Sequence, residues 1–214
     1  MRDSWPLILS GIVVSIYMKI DQIMIKEMLD AEAVGQYAAA VRLSEAWYFI
    51  PGVIAGSLFP AIMNSKKISE ELYYSRIQKL YNLVVWIAIV IALPITFLSD
   101  WIVELLYGSQ YDQSGSVLMI HIWAGVFVFL GVASGKWFII ENIPLYALYR
   151  TIAGSFINII LNFFLIQEHG IVGAAYATLI SQLIASYLFN AINKKTRYTF
   201  VMQTRTIWFP FKLN

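Results

Sequence analysis

The most restrictive feature of this chain is the run from Gln113 to Gly135, which contains no Asp, Glu, Lys or Arg. Its length and apolarity match the roughly 20 residues a helix needs to cross a bilayer. The stretches Leu80–Ser99 and Ala46–Met63 are also free of charge. Hydrocarbon offers no hydrogen bonds to a backbone, so each such segment must satisfy its own N–H and C=O groups, and a helix does this. Composition agrees. The 214 residues are 59% hydrophobic and 13% charged, against about a quarter charged in a soluble domain, and the mean hydropathy is +0.68. The expected fold class is an all-α integral membrane protein. Its six-transmembrane-helix bundle has spans near 7–29, 34–63, 80–99, 115–140, 146–167 and 170–193, forming one lobe over 1–193, with a basic cytoplasmic tail over 194–214.

The charges that remain alternate in sign from one connection to the next. Lys66, Lys67, Arg76 and Lys79 fall between the second and third spans, Lys136 and Arg150 flank the fourth connection, and Lys194, Lys195, Arg197, Arg205 and Lys212 follow the sixth span. The opposite connections carry Asp30 and Glu32, then Asp100, Glu104 and Asp112, then Glu168. Basic connections stay in the cytoplasm, so both termini are expected there. Met1 to Pro6 lacks the basic region and cleavage site of a signal peptide, so insertion is expected through the helices themselves. Ser69–Leu80 and Trp101–Tyr107 mix apolar and charged residues as interfacial helices do. Trp5, Trp47, Trp86, Trp101 and Trp137 lie near span ends, as an aromatic belt or as packed core.

Several function classes are disfavoured by what the residues lack. There is no cysteine, hence no disulfide, thiol nucleophile or cysteine-ligated metal. The two histidines, His121 among apolar neighbours and His169 in a tight turn next to Gly170, both read as structural. No paired nucleophile and base can be assembled, so no enzyme is expected. A net charge of +2 gives no reason to expect a nucleic-acid partner.

Polarity inside the spans is the remaining signal, because ionisable groups there are costly and usually face a bundle interior or a hydrated cavity. Asp21 and Arg42 are the leading cavity candidates; the plain alternative is a structural interhelical pair or a snorkelling head. Lys19 lies two residues from Asp21 and so points to another face, whereas Tyr17 shares the face of Asp21. Arg42 and Glu45, three apart, are placed to pair on one helix. Lys136 and Arg150 read mainly as snorkelling, topology-setting cations. Ser155, Asn158 and Asn162 share one face of the fifth span, and Thr178, Gln182, Ser186 and Asn190 repeat every four residues along the sixth. Such stripes line a hydrated path or bond helices together. Gly52 with Gly56, and Gly131 with Gly135, would permit close helix approach, while Pro51, Pro60 and Pro94 could kink their spans.

The segments Ser4–Gly11, Tyr17–Met24, Val34–Glu45, Pro51 and Phe59–Pro60 resemble the seventh and eighth helices of bacterial Wzx-type O-antigen and polysaccharide flippases. The superfamily also holds peptidoglycan-precursor flippases and multidrug-extruding MATE transporters. Gly170–Thr178 resembles the opening of the family's twelfth helix. The resemblance implies the C-terminal lobe of a MATE-like flippase fold in the bacterial inner membrane. It implies movement of an undecaprenyl-diphosphate-linked oligosaccharide between leaflets by alternating access. It places Asp21 and Arg42 near the cavity between two lobes, Arg42 as a donor to the lipid diphosphate and Asp21 as a coupling or gating carboxylate. The partners implied are the bilayer, the lipid-linked oligosaccharide and a missing or separate N-terminal six-helix half. No cofactor is expected beyond a coupling ion whose kind the resemblance leaves open. The alternatives are a drug or metabolite exporter of the same superfamily, a membrane-embedded cell-envelope enzyme and a structural scaffold subunit.

Overall fold

The computed structural model describes residues 19–208. Most of the expected first span, with Trp5 and Tyr17, lies outside the described residues. Its end is helix α1, 19–28. Asp30 then opens α2 (Ala31–Glu45), its carboxylate accepting from the Ala33 amide at 2.7 Å. A carboxylate there satisfies an otherwise orphaned N–H and suits the positive end of the helix.

The second span is interrupted in its middle. After α2 the chain turns through 46–48 before α3 (Phe49–Ile68) resumes. Pro51 explains the position: it has no N–H to give the Trp47 carbonyl, and its ring crowds that carbonyl, so the regular helix breaks one turn earlier. Ser69 caps the next helix, α4 (Glu70–Tyr107), by accepting from the Leu72 amide at 3.4 Å. At 1.5 Å per residue, 38 residues span about 57 Å, well beyond a hydrocarbon core of about 30 Å. The segments expected as interfacial helices, Ser69–Leu80 and Trp101–Tyr107, therefore belong to this one continuous helix. Gly108, at φ +87°, ends it, and a 3-10 turn (Ser109–Tyr111) leads to α5 (Ser114–Ile140).

The last long helical stretch, α6 (Leu145–Leu183), is folded in two at Gly170, whose φ of 60° and ψ of −141° no helix contains. A side chain would be strained there, which suits glycine to the turn. The two arms run antiparallel in close contact. A Cβ at Gly173 would overlap the Leu165 carbonyl, and one at Gly154 would come within 2.7 Å of the Ala185 Cβ. The second arm continues through a π-helical turn (Ile184–Leu188) into α7 (Phe189–Ile192). Among the described residues four helical stretches, Ala31–Ile68, Glu70–Tyr107, Ser114–Ile140 and Leu145–Ile192, are long and apolar enough to cross a membrane, and the last is this doubled one.

The residues 194–214, expected as a surface tail, contain a docked helix, α8 (Arg197–Trp208). Its inward stripe is Thr199, Met202, Gln203 and Thr206, at the i, i+3, i+4, i+7 spacing of one helical face. Most of that stripe is polar and bonds to α4: Gln78 donates to Thr206 Oγ1 at 2.8 Å, and the Tyr81 and Thr199 hydroxyls lie 3.3 Å apart.

Among the described residues two apolar cores hold the bundle. One packs Tyr73, Ile77, Tyr81, Val84, Phe129 and Phe138; the other packs Ile25, Tyr37, Val41, Val103, Leu118 and Ile166. Outside them the surface is itself apolar, with Phe97 83% exposed and Val90, Leu105 and Phe156 also bare. So many large apolar side chains left exposed are untenable in water and suit lipid tails. The tryptophans divide: Trp101 is exposed at the end of α4, whereas Trp137 is buried in the first core.

Candidate functional site: a buried carboxylate tying three helices

Asp21 is buried on α1 and receives three hydrogen bonds. Asn162, on the first arm of α6, donates to its Oδ1 at 2.6 Å. Thr178, on the second arm, donates to its Oδ2 at 2.6 Å, and the Tyr37 hydroxyl of α2 reaches the same oxygen at 2.9 Å. The arms can converge on one carboxylate because Gly170 folds them back on each other. Asn162 also donates to Asn158 Oδ1 at 3.0 Å. The carboxylate is thus met by hydrogen bonds, with no ion pair to a lysine or arginine among the described residues. In a low-dielectric interior such bonds are strong, and losing one is expensive.

The arrangement is not fully satisfied. Asn162 Oδ1 and Asn158 Nδ2 are buried without a hydrogen-bond partner among the described residues. On another side of Asp21 is a cavity of about 20 Å³, lined by Asp21, Tyr37, Glu45, His121, Thr178 and Gln182 among others. That is room for a water molecule or a small ion.

The expected residues fare unevenly. Asp21, Asn158 and Asn162 come together, and Glu45 lines the cavity that Asp21 also borders. Lys19 is exposed and Arg42 is exposed one turn before Glu45. Arg42 and Glu45, expected to pair, form no ion pair: Arg42 faces outward while Glu45 turns toward the cavity. Lys136 is remote from this cluster; its ammonium sits 5.6 Å from the Phe59 ring centre. Tyr17 lies outside the described residues.

Some participants escaped the sequence reading. Tyr37 carried only an apolar-helix signal, yet it links α1 to α2. His121, read as structural, is buried and bonds Ser44 through Nδ1 at 2.8 Å, but it also lines the cavity. Thr178 was visible as the first member of the four-residue stripe on the last span. Arg150, read as a snorkelling cation, is instead 8% exposed. It donates to Ser134 Oγ at 2.5 Å and to the Gly131 carbonyl at 2.6 Å, with its guanidinium 4.9 Å from the Phe138 ring centre. The Gly131–Gly135 pair therefore makes room for an arginine and for Ser186. By contrast, Gly52 and Gly56 meet nothing within 4 Å.

Three comparisons bear on this geometry. The family described as polysaccharide biosynthesis protein matches residues 1–66. The chain is 26% identical over 192 residues to the probable low-salt glycan biosynthesis flippase Agl15 of Haloferax volcanii, covering 86% of this chain and 40% of that protein. The resemblance to polysaccharide flippases holds. In three dimensions the chain is similar to an outward-facing multidrug resistance MATE family transporter of the MOP superfamily. The TM-score is 0.76 at 14% identity, covering 96% of this chain and 52% of that one. The fold is accordingly an all-helical membrane bundle corresponding to about half of a MATE-type transporter. The chain spans well under two thirds of either relative's length.

Proposed function

We propose that this chain is one lobe of a flippase moving a polyprenyl-diphosphate-linked oligosaccharide across a membrane. In this reading the carrier is undecaprenyl diphosphate, the membrane is the bacterial inner membrane, and both termini face the cytoplasm. A separate or missing six-helix half completes the path, because alternating access requires two bundles rocking about a shared site. Likeness to a glycan flippase supports the substrate class, and the basic connections support the orientation.

The observation that carries the mechanism is the Asp21 cluster. A carboxylate bonded to α2 and to both arms of α6 can report its charge to three helices at once. Asp21 is the coupling or gating group in this reading. The amide that donates to it leaves Asn162 Oδ1 unpaired, a second oxygen beside the carboxylate for a coupling ion. A change in charge at Asp21 changes which of its donors are held, and so the packing of α1 and α2 against α6. Arg42, on the exposed side of α2, serves the lipid diphosphate as a charge-assisted donor.

The test supplies the complementary half in a strain lacking its own flippase and measures surface glycan. Asp21→Asn and Arg42→Gln are each expected to abolish export at unchanged membrane abundance. Export at the normal level by both variants would sink the site assignment. Extrusion of a cationic drug with no glycan export would favour the exporter reading instead.

A further inference from the structure

Helix α8 is built the wrong way round for a helix docked on a protein in water. Its buried stripe is mostly polar, and its outward face carries Tyr198 (45% exposed), Val201 (39%) and Ile207 (37%) beside the exposed Arg197 and Arg205. Lys194 and Lys195, also exposed, precede it. No Asp or Glu occurs anywhere from His169 to Asn214, so nothing acidic in this stretch offsets those cations.

The height of α8 on the bundle is set by its partners. Gln78 donates to the Met202 carbonyl at 3.1 Å, and Thr206 Oγ1 donates to Asn82 Oδ1 at 2.8 Å. The Tyr74 and Tyr198 ring centres lie 4.4 Å apart. On α4, Lys79 is the last charge before the uncharged run Leu80–Ser99. Helix α8 therefore lies across the point where α4 passes from charged to apolar sequence, which is where headgroups meet acyl chains. An amphipathic helix at that depth sinks its apolar residues between lipids and leaves its cations among the phosphates.

We propose that the outward face of α8 is a docking surface for anionic phospholipid headgroups, bound by Lys194, Lys195, Arg197 and Arg205 and seated by Tyr198, Val201 and Ile207. Each basic side chain near an anionic surface strengthens attachment about fivefold. The anchorage reaches the last span, because Gln203 donates to the Ser186 carbonyl at 3.3 Å and accepts from Asn190 at 3.0 Å. Ser186 lies in the π-helical turn, so the lipid-seated helix grips an irregular turn of a spanning helix.

The chain contains no cysteine, so Val201→Cys accepts a single environment-sensitive fluorophore on the outward face. The labelled chain is placed in nanodiscs of pure phosphatidylcholine, and in others containing phosphatidylglycerol. The expected result is a blue shift and a several-fold drop in iodide quenching with phosphatidylglycerol. Both are expected to be lost in high salt, or when Lys194, Lys195, Arg197 and Arg205 are all changed to Gln. Equal quenching in the two lipids overturns the proposal: if low, another protein segment covers the face; if high, the face stays in water. The lipid contrast is read on the chain with its charges intact, so it does not depend on the quadruple variant folding.

Discussion

Asn162 and Asp21 meet at 2.6 Å although 141 positions separate them in the chain. A fold in α6 at Gly170 brings Thr178 beside Asn162, so both arms reach the same carboxylate on α1. One carboxylate thereby measures the relative positions of the first, second, fifth and sixth spans.

Removing a single donor to Asp21 is expected to cost about 1–3 kcal/mol, the penalty for a buried acceptor left short of a partner. Thr178→Val and Asn162→Ala each test this, and the double variant is expected to depart from additivity because both act on one carboxylate. Thermal unfolding in detergent measures all three. Strict additivity would show that the two bonds are independent.

Gly173→Ala is expected to prevent the last two spans from closing, since its Cβ would overlap the Leu165 carbonyl, part of a helix that cannot yield locally. Gly56→Ala meets no atom within 4 Å and is expected to leave the stability of the lobe unchanged. Membrane abundance and melting temperature separate the two. A well-folded Gly173→Ala lobe would contradict the hairpin packing.

Arg150 is a buried cation answered by a hydroxyl and a carbonyl rather than by a carboxylate. Ser134→Ala removes one of those acceptors and is expected to cost about 1.5–3 kcal/mol, the range for hydrogen bonds to charged groups. Arg150→Met removes the charge while keeping apolar bulk over Phe138, and is expected to cost less than Ser134→Ala, because an apolar isostere avoids the desolvation of a buried ion. The order of the two melting temperatures is the check, and the reverse order refutes this account of the site.

Gln203→Leu removes the side chain that joins α8 to Ser186 and Asn190. It is expected to cost about 1 kcal/mol, a typical net hydrogen-bond contribution, and to raise amide exchange in α8 and at Ile184–Leu188 together. Exchange rising in α8 alone would show that the π-helical turn is held by its own span.

Much of the bundle was legible because lipid imposes a strong rule. Long uncharged runs must be helices, and the alternation of basic and acidic connections distinguishes the two ends of the lobe. The polar stripes at Asn158 and Asn162, and from Thr178 to Asn190, announced inward faces through their spacing alone. Periodicity could not show that the two stripes share a partner, nor that Tyr37 would supply a third bond. It also misjudged Arg150, since a cation near a span end looks the same whether it snorkels to water or turns inward over two glycines. The docked α8 was missed for a related reason. Its buried face is polar, so an apolar-stripe criterion reads it as solvent-exposed.

The sequence by itself determined that this chain lives in lipid, where its long uncharged runs fall, which connections are basic, and that Asp21 is an unusual residue to place within a span. Those properties follow from local composition acting against a uniform hydrocarbon solvent. Only the tertiary structure decided which polar groups answer Asp21, that Arg42 is exposed while Arg150 is buried, and that the basic tail folds back as a helix. Each of these depends on contacts between residues distant in sequence, and such contacts are settled by packing and hydrogen-bond geometry rather than by the pattern along any one segment.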